Sequence, residues 1–276
     1  MPATNRLPVP VQLFVHCATS VDYLADLNAC IPGVERYAER ALLLAEHNDV
    51  VCVTHEVDPA YLEYLAEMGL GPAPENVVVA PLLERADTGA STLWHKLLTS
   101  EEALEALSCR IRRHGSGTIH PFIASQGQFQ LAATLERRTG LRVRVAGGDP
   151  AVTANADHKH LVRAKALALG IPVAPGEVVD LARAGGRPRH ERSILCAAME
   201  RQIGGTGRVI VRGTSGAAGS ATFVVKRAED IADWAELIAR RGDNRIYLVE
   251  SMTDVAVSPN VQVRIDPESR AIVCEG

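Results

Sequence analysis

The chain has 276 residues, of which 47% are hydrophobic and 22% charged, enough to bury a sizeable core and to make roughly two domains of about 150 residues each. A formal net charge of −4 argues against a polyanion-binding surface, so no nucleic-acid partner is expected. No apolar run of about 18 residues occurs and residues 1–10 lack an apolar signal core, so neither a helical membrane span nor a signal peptide is expected.

In chain order, short β-branched runs alternate with helical patterns, which predicts an α/β fold with a largely parallel sheet. Strands are predicted over residues 12–15, 49–54, 76–79, 118–123 and 141–145. Several are continuously apolar, as expected of strands covered on both faces. Helices are predicted over 60–68, 100–113 and 126–139. Asp58 and Pro59 suit the start of the first, and Gly140 the end of the third. Gly147-Gly148-Asp149-Pro150 breaks the alternation and predicts a boundary, with one domain over 1–148 and another over 149–276. Beyond it come a helix over 156–169, a strand near 172–179, a helix over 191–203 and strands over 208–212, 221–225 and 246–252. A hairpin over 261–265 and 271–274 follows. Cys17, Cys30, Cys52, Cys109, Cys196 and Cys274 lie far apart without a C-x-x-C pair. They read as reduced thiols rather than disulfides or a zinc site, and a cytoplasmic location is expected.

The stretch carrying chemistry is RVIVRGTSGAAGSATFVV, from Arg208 to Val225. A strand ends in Arg212, a loop of small residues follows, and a second strand begins at once. Such a tip can lie directly on phosphate oxygens, because its backbone N–H groups form an anion nest. A neighbouring guanidinium would neutralise phosphate charge through parallel hydrogen bonds. Taken alone, the pattern also fits an ordinary Gly/Ser hairpin loop. It is not a Walker A loop, since no G-K-[ST] ends it, and no G-x-G-x-x-G supports a Rossmann cofactor site. The latter absence also disfavours a glycosyltransferase-like or reductase protein.

Two flanking features add to this. Asp157-His158-Lys159 opens a helix that leads to Gly170-Ile171-Pro172-Val173-Ala174-Pro175, and Leu248-Val249-Glu250 is an apolar strand ending in a carboxylate. A lone Lys at a helix start is ordinarily a solvated surface charge. In this order, however, the set resembles the ATP-grasp superfamily, over roughly residues 150–276. The preceding domain looks like the pre-ATP-grasp domain of such ligases. Ser258-Pro259-Asn260-Val261-Gln262 is similar to the pheganomycin-type peptide ligase branch.

The resemblance implies an N-terminal pre-ATP-grasp parallel-sheet domain followed by a partial α+β ATP-grasp domain. It implies ATP and Mg²⁺ as cofactors. The expected ATP-binding residues are Lys159, Arg212, Ser215, Gly216, Ala217, Ala218, Gly219, Glu250, Ser251 and Met252. Lys159 and Arg212 would meet phosphates and the 216–219 backbone would cover them. Residues 250–252 would form the adenine hinge, with Met252 on the ring. Arg212 stands where the family has lysine, which keeps charge but not shape. The implied reaction activates a carboxylate as an acyl phosphate that an amine attacks, so the partners are small-molecule carboxylates and amines or peptides. A homodimer is a compatible assembly. In relatives the metal carboxylates lie on strands past the equivalent of Gly276, so this chain is expected to stop before the metal site. The alternative is a non-catalytic nucleotide-binding or scaffold module.

Overall fold

A computed structural model describes residues 9–17, 33–80, 92–216, 221–242, 244–257, 261–265 and 271–275. The chain divides into two compact units, one of residues 1–162 with 215–220 and one of residues 163–214 with 221–276.

The first unit is an α/β layer structure. Strands β1 (Val11–Val15), β2 (Val50–Val53), β3 (Val77–Val79), β4 (Gly117–Pro121) and β5 (Val143–Val145) form one parallel sheet in the order β3-β2-β1-β4-β5. All four residues of β2, Val-Val-Cys-Val, are buried, as a strand covered on both faces requires. Helices α1 (Pro59–Glu67), α2 (Leu93–Thr99), α3 (Glu101–His114) and α4 (Gln126–Thr139), with a 3₁₀ segment over Val34–Leu43, connect the strands.

Local chemistry explains the helix bounds. Asp58 accepts from the Ala60 N–H at 2.9 Å, and Ser100 Oγ accepts from the Ala103 N–H at 3.1 Å. The first turn of α3 holds Glu101 and Glu102 and its last turn Arg112, Arg113 and His114, the charge order that complements the helix dipole. Gly127 is required by packing, since a Cβ there would lie 2.1 Å from the Trp94 ring. The core joins Leu13 and Val15 of β1 to Leu107 and Ile111 of α3 and Leu131 and Leu135 of α4.

The second unit is built on an antiparallel sheet. Strands β6 (Gly176–Asp180), β7 (Val209–Gly213), β8 (Thr222–Val225) and β9 (Ile246–Ser251) lie in the order β6-β9-β7-β8. Helices α7 (Pro188–Thr206) and α8 (Ile231–Arg241) bury Leu195, Met199, Ala235 and Ile238 with Val209, Val211 and Val249 of the sheet. Strands β10 (Gln262–Ile265) and β11 (Ile272–Glu275) pair antiparallel with each other.

One predicted helix is two. Residues 156–169 divide into α5 (Pro150–Asp157) and α6 (Lys159–Ala168) at His158, whose φ of −82° and ψ of 106° are extended. The first helix starts early because Asp149 caps it, accepting from the Ala151 N–H at 2.8 Å, with Pro150 in its first turn. Cys17 and Cys52 are buried, Cys109 and Cys196 half-buried and Cys274 exposed, and no disulfide joins these five. Cys30 lies outside the described residues, as do the predicted turn at 266–270 and the 258–260 part of the S-P-N motif. Among the described residues no helix is long and apolar enough to cross a membrane.

One buried group gives the first unit a pH dependence. His16, immediately after β1, is 5% exposed. Burial, then the nearby charges of Arg40 and His120, push its pKa from 6.5 down to about 4. Between these values the unfolded chain binds the proton and the folded chain does not, so stability falls as pH drops from about 6.5 to about 4. The expected loss is on the order of 2 kcal/mol, with full stability restored above pH 7. Urea melts from pH 7.5 to 4 should show that slope, flattened in His16→Gln; equal slopes in both proteins would contradict it.

Candidate functional site

The residues singled out in the sequence fall into two groups. The first gathers at the start of α6 and the loop after β7. Lys159 opens α6, and its ammonium donates to the Gly216 carbonyl at 2.8 Å. One residue earlier, His158 Nδ1 lies 3.2 Å from Ser215 Oγ. Gly216 has φ +137°, a conformation that side-chain-bearing residues rarely adopt. The break at His158 therefore does local work: by ending α5 it places two consecutive side chains against the small-residue tip. Ala217, Ala218 and Gly219 lie outside the described residues.

The second group lies in the antiparallel sheet. Alternation along β7 sends Val209 and Val211 into the core and Ile210 and Arg212 to the other face. Register places Glu250 of β9 opposite Ile210 on one side and Gly176 on the other. Glu250 is 3% exposed, too buried to be left unpaired. Two arginines meet it. Its Oε1 accepts from Arg163 Nη1 at 2.6 Å, and its Oε2 accepts from Arg212 Nε at 3.0 Å and also from Arg212 Nη2. Arg163 also donates to the Gly176 carbonyl at 3.3 Å.

The cluster carries one net positive charge. Arg163 is 10% exposed at the side chain, whereas Arg212 is 36% exposed, so Arg212 is the member that still reaches water. Gly176 is what admits the carboxylate. A Cβ there would stand 2.6 Å from Glu250 Cγ and 2.6 Å from the Val249 carbonyl oxygen.

Residues 251 and 252 are tied into the unit. The Ser251 N–H donates to the Pro175 carbonyl at 2.9 Å and the Met252 N–H to the Arg208 carbonyl at 3.0 Å. Ser251 Oγ donates to the Gln202 carbonyl at 2.8 Å. These bonds commit both N–H groups to the protein.

Arg163 and His158 are the residues the motif reading missed. A signal for Arg163 was available, because it stands four residues after Lys159 in the same helix, and i, i+4 residues share a face. Among the described residues no three His, Cys, Asp or Glu side chains converge on a metal-sized site.

A five-stranded parallel sheet followed by an antiparallel sheet with an arginine-bridged carboxylate defines an α/β protein of two units. Comparison with known proteins agrees for the first unit: residues 38–137 match the family model of the Pre ATP-grasp domain. No curated protein matches the sequence. Among solved structures, D-alanyl-alanine synthetase A from Vibrio cholerae O1 biovar eltor is 20% identical, with TM-score 0.36, covering 50% of this chain and 38% of that one. The D-cycloserine synthetase DcsG is 14% identical, with TM-score 0.37, covering 88% of this chain and 59% of that one. The chain thus spans 38% and 59% of the length of these two proteins. Both overlaps are too loose to define its fold.

Proposed function

We propose that the chain is the nucleotide-binding part of an ATP-dependent carboxylate–amine ligase of the ATP-grasp type, working through an acyl phosphate. The observation that carries this reading is the Lys159 ammonium held at 2.8 Å from the Gly216 backbone, a cation already seated at a tip with almost no side chains. Triphosphate would take up that cation and the tip's backbone groups, because charge-assisted bonds to phosphate are stronger than a bond to one carbonyl.

In this reading Arg212 is the second phosphate-side cation. Glu250 fixes its guanidinium, while Arg163 supplies the charge that lets Glu250 remain buried without cancelling Arg212. The protein's contribution to such a reaction is positioning and charge neutralisation. Substrates of the peptide type and the acyl-phosphate route are part of the proposal, supported by the ordered motif set together with the Pre ATP-grasp match over residues 38–137.

Isothermal titration of the full chain with Mg·ATP tests the nucleotide part. Lys159→Ala and Arg212→Ala are each expected to weaken binding by about tenfold or more, equivalent to roughly 1.4 kcal/mol. A folded wild-type chain that takes up no Mg·ATP would refute the reading. A non-catalytic nucleotide-binding module is the second reading, favoured by the commitment of Arg212 to Glu250 in the absence of lysine at that position. Release of ADP in the presence of any amine and carboxylate pair would eliminate it.

A further inference from the structure

In an open parallel sheet, ligands bind past the carboxyl ends of the strands where the strand order reverses. Here that point falls between β1 and β4, because β2 and β3 follow on one side of β1 while β4 and β5 lie on the other. The residues collected there are aromatic and titratable. Phe14 of β1 stacks on His120 of β4 with ring centroids 5.0 Å apart, and Phe14 also meets His16 edge-on at 5.8 Å. Phe122, just past β4, lies 6.2 Å from His16 and 5.2 Å from Tyr37.

Two polar groups stand out in this aromatic setting. His16 is 5% exposed, yet its Nδ1 has no hydrogen-bond partner among the described residues. Orphaned buried polar atoms are uncommon in folded proteins. Arg40 is exposed, and its guanidinium lies over the Phe122 ring at 4.5 Å and the Tyr37 ring at 4.9 Å. Its one hydrogen bond among the described residues goes to Tyr37 Oη, and no carboxylate there pairs with it. The rings fix the guanidinium plane, so its remaining N–H groups are presented at low entropic cost.

We propose that this cluster past the ends of β1 and β4 binds a small carboxylate with an apolar body, its oxygens taken by Arg40 and by His16 Nδ1–H and its body laid on Phe14 and Phe122. A neutral imidazole supplies one donor at Nδ1 when that tautomer is selected, and a guanidinium supplies the charge. Together they match a singly charged, two-oxygen group. The low pKa of His16 keeps it neutral at pH 7, so the site offers one positive charge rather than two. The role of this carboxylate as a ligase substrate rests on the function proposed above, whereas its binding does not require nucleotide.

The test is performed on the full chain without ATP. Histidine ¹⁵N signals are followed by NMR while benzoate, benzamide or inorganic phosphate is added, with the His16 signal assigned by its loss in His16→Gln. Benzoate is expected to shift the His16 signal saturably and to raise its pKa by about one unit, since a nearby anion favours imidazolium. Arg40→Gln, in a sample whose urea melt matches wild type, should weaken benzoate binding by tenfold or more, with partial rescue in Arg40→Lys. An unmoved His16 signal in benzoate overturns the site. Equal responses to benzamide or to phosphate overturn the carboxylate assignment. Mg·ATP binding measured separately on the same sample reports on the ligase reading, so the two failures are distinguishable.

Discussion

Replacing Glu250 by leucine is expected to destabilise the second unit by roughly 3–5 kcal/mol, the usual cost of removing one partner from a buried ion pair. The cost lies in what remains. Arg163, 10% exposed at its side chain, would keep its charge and lose the carboxylate that accepts from it at 2.6 Å. Arg212 would lose its partner too, but at 36% exposure water can replace it, so the arginine facing the interior dominates the effect. Thermal or urea melts of the single variant give the number. The triple variant Arg163→Met, Glu250→Leu, Arg212→Met separates structure from function. Its stability should recover most of the loss, because a fully apolar replacement leaves no charge to desolvate. Its Mg·ATP binding should not recover. A single variant within about 1 kcal/mol of wild type would show that the cluster is not the buried network described here.

Gly176→Ala is the second large effect, expected at about 3 kcal/mol, the upper part of the range for overpacking. The added methyl would meet the Val249 carbonyl oxygen at 2.6 Å and Glu250 Cα at 2.8 Å. Both are backbone atoms of the paired strand, so no rotamer change relieves the contact and β6 must move away from β9. Because Arg163 also donates to the Gly176 carbonyl, the movement would disturb the cluster and weaken Mg·ATP binding as well. Gly204→Ala is the matched control. That glycine lies inside α7 with nothing within 4 Å of an added Cβ, so alanine should stabilise by up to about 1 kcal/mol. A Gly176→Ala melt that follows the control would remove the close approach from the account.

What was legible in the sequence was local. The 126–139 helix coincides with Gln126–Thr139, since Gly140 marks its end from the local chain alone. The five predicted N-terminal strands lie within two residues of β1 to β5, because continuous β-branched runs need no distant partner to be recognised. The 3₁₀ segment at Val34–Leu43 and the break at His158 escaped the reading, as neither carries a strong local stop or start signal. Lys159, Arg212 and Glu250 were visible as charges at the ends of elements, but their partners were not.

Sequence by itself determined the α/β alternation, the capped helices and the position of the small-residue tip, because periodicity and turn chemistry act over a few residues. Only the tertiary structure decided the strand order, and with it that His16 and Arg40 both come to the Phe122 ring. It also decided that Arg163 and Glu250, 87 residues apart, share one buried contact. The physical reason is that a buried charge takes whichever partner the packing of distant strands and helices brings within hydrogen-bond reach, and no local pattern records that choice.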